Sequence, residues 1–500
     1  MSDLLIYPIL IPIAGALLIP LIGWGNLKVQ RGLSIVATLA TVVVAFSLVD
    51  VAMQGEILTY EVGDWAAPFG ITLVLDRLSA MMVALTSIVA VVALLYASQG
   101  HDERGTHFHF LFQMQVLGIN GAFLTGDLFN LFVFFEVLLL ASYALLLFGR
   151  TDRRVAAGVH YVVLNLAGSA LFIIAVGIMY GLTGTLNMAD MAEHVAELGS
   201  RDEALVHAGA LLLLVVFGLK AALLPLFLWL PNVYSAASAP VAALFAILTK
   251  VGVYAILRVT TLIFGDEAGI AAGVAEPYLL PLALGTLFLG TLGVLASKRL
   301  GRTIGYLIIA SLGTMLAAVG LYSSAAIGAA LYYVMHSTLI GAGLFLLVEV
   351  IADQRGETED RLVVGPELDQ PSLLGVVYFI CALAVAGLPP LSGFVGKALI
   401  LDAAIGQAGG FWVLGIIVAT SLLTVVALAQ AGIEIFWKAG TDESIPPAAS
   451  HPARGRLVPI VIAVAIIAAL TIGAGPVTEY TMAAADQLLE PQNYIRAVLY

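Results

Sequence analysis

Residues 131–148 read LFVFFEVLLLASYALLLF, an apolar run broken by one carboxylate, Glu136. Crossing a bilayer core of roughly 30 Å takes about 20 such residues in a helix. Runs of this kind recur along the whole chain. Of its 500 residues, 61% are hydrophobic and 11% charged, where a soluble domain carries about 25% charged residues. An all-α polytopic membrane protein is expected.

Fourteen hydrophobic segments are expected, at roughly 4–23, 32–53, 78–98, 107–126, 128–148, 155–181, 207–230, 239–264, 277–297, 303–322, 326–351, 372–406, 411–437 and 456–476. The opening MSDLLIYPIL lacks a basic stretch and a small-residue cleavage site, and reads as a retained first span. Of the 21 Lys and Arg residues, 14 fall in loops after odd-numbered spans and three on the other side. By the positive-inside rule both termini then face outward. The loop YEVGDWAAPFGITLVLD reads as a short external hairpin. Met188, Met191, Val195 and Leu198 are spaced as one face of a surface helix. The polar stretch 352–371 is a candidate partner-docking loop. Units are expected at 1–106, 107–264, 277–437 and 438–500.

Several chemistries find no home here. The net charge is −12 without a long basic run, so nucleic acid is not a partner. The lone Cys381 excludes a disulfide framework or a cysteine-rich metal site. Walker A, G-x-G-x-x-G and H-E-x-x-H patterns are missing. No cofactor and no bound metal are expected.

What remains are ionisable residues inside apolar spans, each costing about 2.5–3.5 kcal/mol at a helix centre. Glu136 in span five, Lys220 in span seven, Lys250 in span eight, His336 in span eleven and Lys397 in span twelve all project to the midplane. A lysine can instead snorkel to the interface, but Lys220 and Lys250 lie about ten residues, roughly 15 Å, from either end. A neutral histidine is cheap to bury, and Glu136 with a lysine can be a purely structural pair. A structural network of all five would cost several desolvations with no gain over apolar packing. Read as function, making or breaking a Glu136–Lys220 pair would swing the proton affinity of both groups, and water between the five would relay protons. Arg258 reads as an outward-facing anchor or a pair partner.

Two spans carry helix breakers. Span seven has Pro225 five residues after Lys220; span twelve has Gly387, Pro389, Pro390 and Gly393 before Lys397. Unwound backbone at membrane depth is tolerated only beside protein or water. A pair of interrupted spans, each with a midplane lysine, points to two inverted five-helix repeats, spans 4–8 and 9–13.

At these residues the chain resembles the antiporter-like subunits shared by respiratory complex I and Mrp-type multisubunit cation/proton antiporters. The stretches carrying the resemblance are LTGDLFNLFVFFEVLLLASYALL (124–146), GLKAALLPLFLWLPNVYSAASAPVAALFAILTKVGVYAILR (218–258), HSTLIGAGLFLL (336–347) and GLPPLSGFVGKALI (387–400). Within that family, TGDLFNLFVFFEV and HSTLIGAGLFLLVEVIADQRG are most similar to the D-type branch of the Mrp antiporters. The resemblance implies fourteen spans in two inverted repeats, a Glu136–Lys220 gate, and a path through Lys250 and His336 to an exit at Lys397. It also implies a multi-pass protein of the bacterial inner membrane, built into a complex with other membrane subunits. Several relatives carry lysine where this chain has Gly341, which leaves more of the relay to His336 and water.

The expected function is proton translocation within a Na+/proton antiporter, a secondary transporter and not an enzyme. No oxygen-rich sodium cage is evident, so sodium is expected to pass wholly or partly through a sister subunit. The alternative is a proton-pumping subunit of a complex I-type quinone oxidoreductase or a membrane-bound hydrogenase. A non-transporting scaffold would leave the shared depth unexplained.

Overall fold

A computed structural model describes residues 2–440 and 454–500. The helices in chain order begin with α1 (Tyr7–Ile22), α2 (Leu27–Met53), α3 (Arg77–Ala97), α4 (Phe108–Leu124), α5 (Leu128–Leu146), α6 (Asp152–Thr183) and the short α7 (Met188–Ala196). Then come α8 (Glu203–Lys220), α9 (Trp229–Ala236), α10 (Ala239–Phe245), α11 (Leu248–Leu262), α12 (Glu276–Ala296), α13 (Leu300–Val319) and α14 (Ser324–Gln354). The last six are α15 (Pro371–Ala386), α16 (Ser392–Ala404), α17 (Gly410–Gly432), α18 (Leu457–Ile472), α19 (Ala474–Leu488) and α20 (Pro491–Leu499).

Among the described residues, eleven helical stretches are long and apolar enough to cross a membrane, α10 and α11 counting as one. A twelfth is the α18–α19 pair, bent by 77°. Two further apolar helices, α4 and α15, are shorter than a full crossing. The chain is thus a mostly helical, multi-pass membrane protein. Its centre is built from α3, α10–α11, α13 and α14, whereas α1, α2, α6 and α17 keep an apolar face outward. That outward face needs no partner in lipid, which is as apolar as leucine.

Polar side chains set where these helices begin. Asp76 caps α3, accepting from Ser79 N at 2.8 Å while Ser79 Oγ accepts from Asp76 N at 2.9 Å, a reciprocal box that satisfies two orphan donors. Asp127 caps α5 through Asn130 N at 2.6 Å. Between α2 and α3, strands β1 (Leu58–Glu61) and β2 (Thr72–Leu75) pair antiparallel, Leu58 opposite Leu75. Gly126 N donates to Thr72 O at 2.8 Å and Met188 N to Gly126 O at 2.8 Å, stitching the hairpin, the start of α5 and α7 together. Met188, Met191 and Val195 are buried along one side of α7. At the opposite, arginine-rich end, Arg31 pairs with Asp102, Arg104 with Glu349 and Arg456 with Asp353. The 352–371 loop is ordered around the buried Arg355, which donates to the carbonyls of Glu359 and Arg361.

The C-terminal helices return to the start of the bundle. Both α18 and α19 pack on α3. Arg77 Nη1 donates to Ala483 O at 3.2 Å, Tyr480 Oη to Arg77 O at 2.8 Å, and Gln487 Oε1 accepts from Arg77 N at 2.9 Å.

The breaks after α8 and α15 follow from proline sterics. A proline ring collides with the carbonyl four residues earlier. For Pro225 that is Ala221, so α8 stops at Lys220, five residues before the proline itself. For Pro389 it is Val385, and α15 ends one residue later at Ala386. Gly387 then turns the chain at φ +81°, a left-handed conformation that favours glycine, and its N–H closes on Leu383 O at 3.1 Å.

Candidate functional site

The structure does not bring Glu136 and Lys220 into direct contact. Glu136 is half-buried on α5 and accepts a hydrogen bond from Ser169 Oγ. Lys220, the last residue of α8, donates to Asn165 Oδ1 at 3.0 Å and lies 5.7 Å from the centroid of the Phe135 ring. Asn165 and Ser169 are four residues apart on α6, hence neighbours on one face. The carboxylate and the amine each rest on a neutral side chain from the same third helix. A charge held by a neutral hydrogen-bond partner exchanges that partner more readily than one locked in a low-dielectric ion pair.

Lys250 lies on α11, just past a break. Helix α10 ends at Phe245, α11 begins at Leu248, and Tyr234 Oη donates to the Phe245 carbonyl at 2.7 Å. The lysine is fully buried, and its Nζ has no hydrogen-bond partner among the described residues. Two residues on, Gly252 marks the place where α11 touches the end of α8. A Cβ at Gly252 would lie 2.5 Å from Ala221 N and 2.8 Å from the carbonyl carbon of Lys220. Glycine is required here by close approach, and that approach sets the spacing of the two lysines' backbones. Gly252→Ala is expected to cost about 2 kcal/mol of stability by forced overpacking, read as a lowered unfolding temperature of the purified protein.

His336 on α14 is buried, and its Nδ1 is hydrogen-bonded to Ser392 Oγ, the first residue of α16, at 2.9 Å. A cavity of about 20 Å3 adjoins it, lined by His336, Ser311, Ser337 and Gly341 among others. That is room for about one water. A Cβ on Gly341 would meet Ala246 and Ile308 only at 3.7 Å. The small residue thus leaves open space between the break before Lys250 and His336.

Lys397, half-buried on α16, is tied into the second break. Its Nζ donates to Val385 O at 3.2 Å, Ala386 O at 3.0 Å and Ser421 Oγ at 2.9 Å. The two carbonyls belong to the last turn of α15, which has no further turn to bond them. A cation there also faces the negative end of the helix dipole. Gly393, ahead of Lys397, packs against α15: a Cβ would lie 1.8 Å from Ala384 O and 2.8 Å from His336 Nε2.

The five ionisable residues thus form three local groups, Glu136 with Lys220, Lys250 alone, and His336 with Lys397 across the α15–α16 break. On the arginine-rich side a vestibule of about 740 Å3, lined in part by Arg154, Ser238, Arg299, Glu349 and Asp360, reaches in as far as Tyr234. Asn165, Ser169, Gly252, Ser392 and Ser421 were not among the residues expected to matter. Their only signal is helical spacing, with Tyr161, Asn165 and Ser169 at four-residue intervals in an apolar span.

The sequence model of a family described as NADH:quinone oxidoreductase/Mrp antiporter, transmembrane, matches residues 125–424. The chain is 41% identical to the D component of a Na(+)/H(+) antiporter of Alkalihalophilus pseudofirmus, over all of both chains. It is 40% identical to the D component of a probable K(+)/H(+) antiporter of Rhizobium meliloti, covering 100% of this chain and 98% of that one. In structure it is similar to a chain of the Mrp complex from a Dietzia species, with a TM-score of 0.90, 25% identity and all of both chains covered.

Proposed function

This chain belongs to the NADH:quinone oxidoreductase/Mrp antiporter transmembrane family, in the branch of the antiporters' D components, and from that premise we propose that it carries the proton branch of a multisubunit Na+/proton antiporter. It is a subunit of a monovalent cation/proton antiporter, and other membrane subunits are its partners. In our reading Glu136 and Lys220 gate the path, Lys250 holds the proton between breaks, and His336 and Lys397 pass it on, with water in the spaces between them. Sodium crosses wholly or partly through a sister subunit. The protein sits in a bacterial inner membrane with both termini outside.

The observation that carries the reading is the pair of hydrogen bonds that seats Glu136 on Ser169 and Lys220 on Asn165, one turn apart on α6. The carboxylate on α5 and the amine on α8 rest on neutral partners one turn apart on α6, and in our reading they exchange those partners for each other. A contact that alternates between such states changes the proton affinity of both groups, which is what a gate requires.

We further read the chain as fourteen crossings: the eleven long stretches, the bent α18–α19 pair, the short α4, and α15 continued by α16 across its break. Helices α4–α11 and α12–α17 then form two inverted repeats. In support, α8 and α15 each end at a proline-induced break, with Lys220 before one and Lys397 after the other.

Everted membrane vesicles test the proposal. Added Na+ collapses an imposed pH gradient in wild type, and Lys220→Ala slows the initial rate about tenfold or more, as loss of a positioned proton-transfer group does. An unchanged rate would sink the gate. The family description also covers quinone oxidoreductases, so purification decides between complexes: small hydrophobic antiporter subunits support this reading, and iron–sulfur or flavin subunits oppose it.

A further inference from the structure

A second buried charge network lies at the hairpin end of the bundle, apart from the path above. Arg258 stands eight residues beyond Lys250 on α11, about 12 Å further along the helix. It is 3% exposed, and its Nη2 lies 2.6 Å from Oδ2 of Asp76, itself 2% exposed and the cap of α3. Two tyrosine rings face the guanidinium, Tyr254 with its centroid 5.4 Å from Cζ and Tyr494 at 5.0 Å. Tyr254 Oη donates to the Phe123 carbonyl at 2.8 Å and accepts from Arg258 Nε at 3.4 Å. Tyr494 comes from α20, whose Tyr494, Ile495 and Val498 are buried and whose Gln492 Nε2 donates to Glu267 at 2.7 Å. The Tyr494 hydroxyl lies at Gly126, where a Cβ would be 3.1 Å away.

These groups close the hairpin end of α11. Guanidinium keeps its proton at any physiological pH, so Arg258 cannot hand one on. With its charge matched by Asp76 and two rings against it, Arg258 stands buried and fixed on the outward side of Lys250. We infer that α20 is a plug: Tyr494 holds Arg258 on Asp76 and so prevents protons on Lys250 from leaking out at the hairpin end. Tyr494 is then a positioning residue for coupling. The inference rests on the proton-transport reading above.

The test uses the full chain assembled with its partner subunits in everted vesicles, following decay of an imposed pH gradient with no exchangeable cation added. Tyr494→Ala is expected to leak about fivefold faster than wild type, as expected for loss of a desolvated cation–π contact. Tyr494→Phe, which keeps the ring, stays as tight as wild type. Leak through a generally damaged complex would not be rescued selectively by Phe. Should Tyr494→Ala fail to assemble, Tyr494→Leu, which keeps apolar bulk without a ring face, is read in its place. Vesicles of the assembled Ala or Leu variant as tight as wild type overturn the plug. Absence of cation-driven exchange in wild type would overturn the transport reading instead.

Discussion

Lys250→Met abolishes cation-driven proton movement in everted vesicles, to about one hundredth of wild type or less, yet leaves the protein as stable as before or more so. The two halves of this expectation come from one observation. The Lys250 amine is fully buried and has no hydrogen-bond partner among the described residues, so no bond is lost when it goes. Methionine matches the lysine stem in length and carries no group needing solvation. Replacing a buried charged group by well-packed apolar atoms is often neutral or stabilising by about 1–4 kcal/mol. Thermal unfolding in detergent and the vesicle assay together decide the matter. Were Lys250 structural, the methionine variant would unfold at lower temperature; were it a bystander, transport would survive.

Gly393→Ala is expected to do the reverse, damaging the fold first. The added methyl would sit 1.8 Å from the Ala384 carbonyl oxygen, and backbone cannot yield as the end of a flexible side chain can. Helix α16 must move away from α15, stretching the His336–Ser392 bond and the grip of Lys397 on Val385 and Ala386. The cost is roughly 3 kcal/mol, at the upper end for overpacking, read as a large fall in unfolding temperature with loss of transport. Gly341→Ala is the control. Its methyl meets nothing closer than 3.7 Å, and stability should not change measurably.

The reach of the sequence differs from residue to residue, for a physical reason. Glu136, Lys220, Lys250, His336 and Lys397 were legible because ionisable groups in apolar spans carry a cost that begs an explanation. Asn165 and Ser169 carry little such cost, so nothing marked them, yet they are the hydrogen-bond partners of Lys220 and Glu136. Prolines located the two broken spans, and the steric rule explains why α8 already ends at Lys220. Gly252 resembles any glycine in a membrane helix until the neighbouring α8 backbone is seen 2.5 Å from its absent Cβ. Long apolar runs predicted the helical class directly. Helices α4 and α15, at 17 and 16 residues, are shorter than the apolar runs around them led one to expect.

Helix α3 has a consequence for how the protein is made. It is among the most enclosed crossings, yet part of its enclosure comes from α18 and α19, and Arg77 at its start is held by Gln487, Ala483 and Tyr480. Those partners leave the ribosome roughly 360–410 residues later, about 20–80 s at ordinary rates of synthesis. For that interval α3 must wait in the bilayer with one side uncovered. It tolerates the wait because that side is apolar and lipid serves as a provisional neighbour. The bundle is therefore closed last by its C-terminal end, and a chain cut short before residue 457 would insert its earlier helices while leaving α3 open along its length.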